Sequence, residues 1–243
     1  MINFVLCFIA TFAGGFVQTV TGFGSVIVMM FLFPLFLSIV DGAAVGASVS
    51  LAGQLFMVLR YWKHVRWKKT ILPLIPCVIL TTLALYLAPK VDVTKLKAAF
   101  GIFLLVLAVY FIYFSSRMKV SASNGSALVC GSLCGIGSGF FGIGSPPMAM
   151  YYLAVFGDDK YGYLATTQAF YTLSCIYGVC ARIASGILNM SLAGYIGTGI
   201  AGFLGGCLLG TRVIDRLDPQ MLRKIIYAFL IFVGIYTFAA NVL

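Results

Sequence analysis

Apolar positions run along this chain in long blocks, and short polar stretches punctuate them. The blocks fall at 4–22, 24–39, 43–60, 70–88 and 95–115, and again at 127–140, 143–156, 162–181, 191–210 and 222–240. Several reach the roughly 20 residues a helix needs to cross a bilayer. A polar linker, Arg117 to Ser126, separates the two sets. The pattern predicts an all-α polytopic membrane protein, with one membrane repeat over 1–120 and a second over 121–243. The halves align with one another. Thr21-Gly22-Phe23 matches Ser138-Gly139-Phe140, Arg60 falls opposite Arg182, and the stretch Val91 to Lys97 resembles Leu217 to Arg223.

Two glycine-rich breaks interrupt the apolar blocks: Thr21-Gly22-Phe23-Gly24-Ser25, and Ser138-Gly139-Phe140-Phe141-Gly142-Ile143-Gly144-Ser145-Pro146-Pro147. A broken helix exposes backbone polar groups that lipid cannot satisfy, so it belongs in protein or beside a wet cavity. Paired breaks in two halves point to a transport site. Blocks 127–140 and 143–156 hold 14 residues each, or about 21 Å of helix. That is short of a core roughly 30 Å thick, and it predicts a re-entrant hairpin. The matching pair 4–22 and 24–39 is longer and is expected to span more fully.

Each pair then returns to its starting side and three crossings follow, which makes the two repeats inverted. If each pair were instead one kinked helix, the repeats would be parallel. Charge separates the two models. With the Arg60 to Lys69 loop in the cytoplasm, inversion places twelve cations inside: Arg60, Lys63, Arg66, Lys68, Lys69, Arg117, Lys119, Lys160, Arg212, Arg216, Arg223 and Lys224. Four lie outside, namely Lys90, Lys95, Lys97 and Arg182; the parallel arrangement gives eight and eight. The positive-inside rule favours inversion with both termini outside.

Composition narrows the function classes. Hydrophobic residues make up 62% of the chain and charged ones 9%, against about 25% charged in soluble domains. The partner implied is the lipid bilayer. The net charge of +10 lies mostly in loops, so it reads as a topology signal and not as a nucleic-acid surface. The N-terminus has no basic region ahead of its first block and reads as a membrane segment, not a cleavable signal. The chain has no Glu, its six Asp fall in expected loops or helix ends, and its one His is His64 in a basic loop. A buried-carboxylate cation site or proton relay is therefore not expected. Neither is an enzyme, a metal site or a cofactor, because no catalytic or ligating set lies at membrane depth. The seven Cys sit in apolar blocks and read as small packing residues.

The candidate chemistry belongs to an anion. Ser145 before Pro146 reads as a helix N-cap followed by proline at the first helical position, and Ser25 after Gly24 is a weaker version. Helix N-termini offer free N–H groups and partial positive charge. At the second break the expected donors are the Gly144, Ser145 and Met148 amides and the Ser145 hydroxyl. The substrate-binding candidates are Gln18, Thr21, Gly22, Gly24, Ser25, Gln54, Ser138, Gly139, Gly142, Gly144, Ser145 and Gln168, with Arg60 and Arg182 as cations at opposite mouths. Each has a second reading. The glycines can serve close packing, as expected for Gly42/Gly46, Gly131/Gly135, Gly202/Gly206 and Gly206/Gly210. The Gln side chains can tie helices together, and the two Arg can be snorkelling anchors.

Gly14-Gly15-Phe16 leading to the first break, and Gly135 to Gly144 at the second, resemble the sulfite exporter TauE/SafE family of membrane permeases. The resemblance covers essentially the whole chain. It implies export of a small sulfur-containing anion, such as sulfite or an organosulfonate, across the bacterial cytoplasmic (inner) membrane by a multi-pass protein. Other small anions, and a scaffold that moves nothing, stay open as alternatives, as does homo-oligomer formation.

Overall fold

The computed structural model describes residues 2–87 and 122–216, with Val91, Asp218 and Met221 in addition. Eight α-helices lie among them: α1 (Ile2–Thr21), α2 (Ser25–Leu32), α3 (Ile39–Arg60), α4 (Trp67–Leu87), α5 (Asn124–Phe141), α6 (Ser145–Phe156), α7 (Lys160–Ala184) and α8 (Ala193–Ile214). There is no strand among the described residues. The expected blocks 95–115 and 222–240 lie outside them. So do most of the linker and the cations Lys90, Lys95, Lys97, Arg117, Lys119, Arg223 and Lys224.

Four stretches are long and apolar enough to cross a membrane: Ile2–Thr21, Val40–Arg60, Trp67–Leu87 and Met190–Ile214. The chain is an all-α, multi-pass membrane protein. On α4 the exposed Ile71, Ile75, Ile79 and Leu83 fall every fourth residue and form one outward apolar stripe. Helix α7 has 25 residues, as many as the longest of these, yet its middle is polar. Thr166, Thr167, Gln168, Thr172 and Ser174 are all buried, so the middle of this helix faces protein, while Ile176 and Ile183 farther along are exposed.

Glycine stripes set the closest helix pairs. Helices α1 and α8 run side by side in the same direction, with Gly202, Gly206 and Gly210 against Phe8, Phe12, Phe16 and Thr19. A Cβ on Gly206 would fall 2.1 Å from the Phe12 carbonyl oxygen. Helices α4 and α5 repeat the arrangement with Gly131, Gly135 and Gly139 against Pro73, Cys77, Thr81 and Ala84. Without hydrophobic driving force between helices in lipid, such backbone approach is what holds them. Helices α3 and α7 pack on each other, α2 packs on α3, and α6 packs on α7.

One end of the bundle is basic. Arg60 at the end of α3 pairs with Asp215 after α8 (2.7 Å), and Arg66 pairs with Asp159 before α7 (3.1 Å). Lys160 Nζ donates to the Ile214 carbonyl (3.0 Å). Helix α1 runs toward this end beside α8, and α2 turns back from it. Helix α5 runs away from it beside α4, and α6 returns to it. The two hairpins therefore enter from opposite ends.

Hairpin lengths differ from expectation. Helix α2 has only 8 residues, about 12 Å, so the first pair's return arm is the shorter one. Pro34 supplies no amide to carry α2 on, and Ser38, which accepts from Asp41 N at 3.0 Å, caps α3 instead. Helix α5 starts earlier than its apolar block, because Ser123 accepts from Ser126 N (3.1 Å) and caps it at Asn124. With 18 residues it reaches about 27 Å.

Candidate functional site

A cavity of about 70 Å³ lies between the two hairpins and helices α3, α4 and α7. It has room for roughly five water-sized positions. Its polar lining is Gln18 and Ser25 from the first hairpin, Ser50 and Gln54 from α3, Thr81 from α4, Ser138 and Ser145 from the second hairpin, and Tyr171, Ser174 and Arg182 from α7. Gly142, Gly144 and Gly178 bring backbone to the wall, and Phe23, Val26, Ala47, Cys134 and Cys175 complete it.

The first tip is a rigid turn. Gly22 (φ 86°) and Gly24 (φ 87°) take the left-handed conformation that glycine tolerates best. Thr21 Oγ1 lies 2.8 Å from the carbonyl oxygens of Val17 and Phe23. The turn is held from behind by α7: the Tyr163 hydroxyl donates to Thr21 O (2.9 Å) and Gln168 Nε2 donates to Gly22 O (3.0 Å). Gln18 Nε2 donates in turn to Gln168 Oε1 (3.0 Å). Ser25 Oγ donates to Gln18 Oε1 and lies 3.1 Å from Ser50 Oγ. Thus Gln168, Thr21, Gly22 and Gly24 build the tip without lining the cavity, and the Gln18 amide is engaged at both ends.

At the second tip α5 ends on Gly142 (φ 71°), and the amides of Gly142 and Ile143 fold back onto the Ser138 and Gly137 carbonyls (3.1 Å each). A Cβ on Gly144 would meet the Cys134 carbonyl oxygen at 2.2 Å, and one on Gly139 would meet the Ala84 Cβ at 2.4 Å. Gly139 packs on α4, outside the cavity. Ser145 opens α6, and its carbonyl accepts from the Tyr171 hydroxyl (2.5 Å). Pro146 and Pro147 carry no N–H, so the free donors of this start are Gly144 and Ser145. Met148, the next residue with an N–H, is the fourth of the helix.

Arg182 departs from the expected place. It is only 4% exposed and reaches inward from the last turn of α7. Its Nη2 donates to Ser138 O (2.8 Å) and its Nη1 to Gly178 O (3.1 Å). Among the described residues no carboxylate pairs with it. Arg60 lies outside the cavity, half-exposed and paired with Asp215. Its partners among the described residues are carbonyls, so the guanidinium keeps its full positive charge in a low-dielectric wall.

A family model described as sulfite exporter TauE/SafE matches residues 7–237. The chain belongs to that family. No curated protein and no solved structure matches it. The match to the TauE/SafE model takes in both glycine breaks and every residue of the cavity, and it makes the chain a TauE/SafE-family membrane permease. In this permease Ser50, Thr81, Tyr171 and Ser174 join the wall although the candidate set above omits them. Two of the stripes are visible in the sequence: Ala47, Ser50 and Gln54 recur every third or fourth residue, as do Tyr171, Ser174, Gly178 and Arg182. The cysteines of the permease are free thiols among the described residues, with Cys77 Sγ 3.7 Å from Cys134 Sγ. No group of three metal-ligating side chains occurs among the described residues.

Proposed function

We propose that the permease exports a small sulfur-containing monoanion, such as sulfite in its singly charged form or a short organosulfonate, through the cavity between the hairpins. The observation that carries this reading is Arg182, a buried guanidinium in the cavity wall with no carboxylate partner among the described residues. One cation in a low-dielectric wall is balanced by one negative charge on the ligand. The Gly144 and Ser145 amides at the start of α6, and the start of α2 at Ser25, add partial positive charge from opposite sides. Hydroxyls of Ser138, Ser145 and Ser174 supply further donors.

The helix pairing supports inverted repeats and alternating access. Exchanging first-half for second-half helices turns the α1–α8 contact into α5–α4, α2–α3 into α6–α7, and α3–α8 into α7–α4, and each of these contacts exists. The α3–α7 contact maps onto itself. Rocking one half against the other would open the cavity to each side in turn. An interior-negative potential drives an anion outward by about 2.3 kcal/mol per charge per 100 mV, so export needs no coupling ion. We place the protein in the bacterial cytoplasmic membrane with the basic end inside.

Purified protein in liposomes tests this. An imposed potential, negative on the sulfite-loaded side, drives sulfite out through the wild type. Arg182→Gln lowers the flux at least about 30-fold, in line with loss of one partner of a buried charge pair, and Arg182→Lys recovers part of it. Flux unchanged in Arg182→Gln at equal folded content would overturn the assignment.

A further inference from the structure

Resting on the anion reading above, we infer that the ligand also carries a hydrogen-bond donor, which Gln54 Oε1 accepts. Gln54 is 7% exposed and lines the cavity, and its carbonyl oxygen is buried with no hydrogen-bond partner among the described residues. The contrast with Gln18 is informative. Both amides face the same cavity, but Gln18 is engaged by Ser25 and Gln168, so only Gln54 has an acceptor to spare. Oε1 is covered in this conformation, and rotation about the soft terminal amide torsion turns it into the cavity. A ligand donor then supplies the hydrogen bond that the fold leaves unmade, and a ligand without one leaves a buried acceptor unpaired. The cavity therefore sets two requirements: negative charge for Arg182, and an O–H or N–H for Gln54. Hydroxylated, aminated or singly protonated sulfur oxyanions meet both. Fully deprotonated or alkyl-only anions meet only the first. Gln54 is thus a specificity-determining residue, reading the uncharged end of the ligand.

Two isosteric pairs of monoanions isolate the donor. Methanesulfonate and sulfamate differ by methyl against amino, and 1-propanesulfonate and 2-hydroxyethanesulfonate differ by methyl against hydroxyl. Calorimetric titration of the purified full-length protein measures all four. The wild type is expected to bind the donor-bearing member of at least one pair about tenfold or more tightly, the size that an unpaired buried acceptor implies. Gln54→Leu abolishes that preference and keeps methanesulfonate binding, and Gln54→Met gives the same comparison if the leucine variant does not fold. Equal binding within both pairs by the wild type, or an undiminished preference in the variants, overturns the inference and leaves the anion site intact. If none of the four binds the wild type, the anion reading falls as well.

Discussion

Gly144 and Ser145 are adjacent in the chain and have different jobs. Gly144 is fixed by sterics, since a Cβ would meet a backbone carbonyl that cannot yield. Gly144→Ala is therefore expected to destabilise the protein by roughly 1–3 kcal/mol, visible as a lowered thermal midpoint in detergent. Ser145→Ala adds no atom and should leave the midpoint near that of the wild type while weakening anion binding. If Gly144→Ala were as stable as the wild type, the tight packing of the second tip would be wrong. The glycine breaks were legible in the sequence as special positions. Which glycine faces the cavity and which faces α4 was not, because the atoms that crowd Gly139 belong to Thr81 and Ala84, far away in the chain. The position of Arg182 was hidden for a related reason. A helix-end arginine reads as a surface anchor until the fold shows Ser138 and Gly178 carbonyls around it.

Among the elements, the long helices and both hairpins follow from apolar block length and glycine breaks, and these were readable. The short α2 was not, because the run 24–39 is apolar throughout and only Pro34 and Ser38 betray its end. Helix α7 shows what a helix with a buried middle looks like in sequence: long enough to span, with polar residues at its centre. Its Gln168 illustrates the gap between a polar residue at depth and a ligand contact. Gln168→Leu would leave Gly22 O and Gln18 Nε2 without their partners, costing roughly 1–3 kcal/mol. The expected result is a lower thermal midpoint with sulfite affinity in the folded fraction changed little. A selective loss of affinity at unchanged stability would instead make Gln168 a ligand contact.

For the whole molecule, the charge pattern and the fold agree on which end is basic. Eight described cations, Arg60, Lys63, Arg66, Lys68, Lys69, Lys160, Arg212 and Arg216, belong to the end where α3, α6 and α8 stop and α4 and α7 begin. The loop after α7, with Ser185, lies at the other end. In a Cys-free background, Lys63→Cys should react with a membrane-impermeant maleimide only after the cells are permeabilised, and Ser185→Cys should react in intact cells. The reverse labelling would invert the topology. The central claim, that an anion sits between the hairpins against Arg182, is tested most directly by locating the anion itself. Selenite resembles sulfite and carries an anomalous scatterer. Diffraction from crystals grown with selenite should show one selenium peak between the Arg182 guanidinium and Ser145, and no peak there in Arg182→Gln crystals. A selenium peak elsewhere, with this cavity empty in the wild type, would contradict the account.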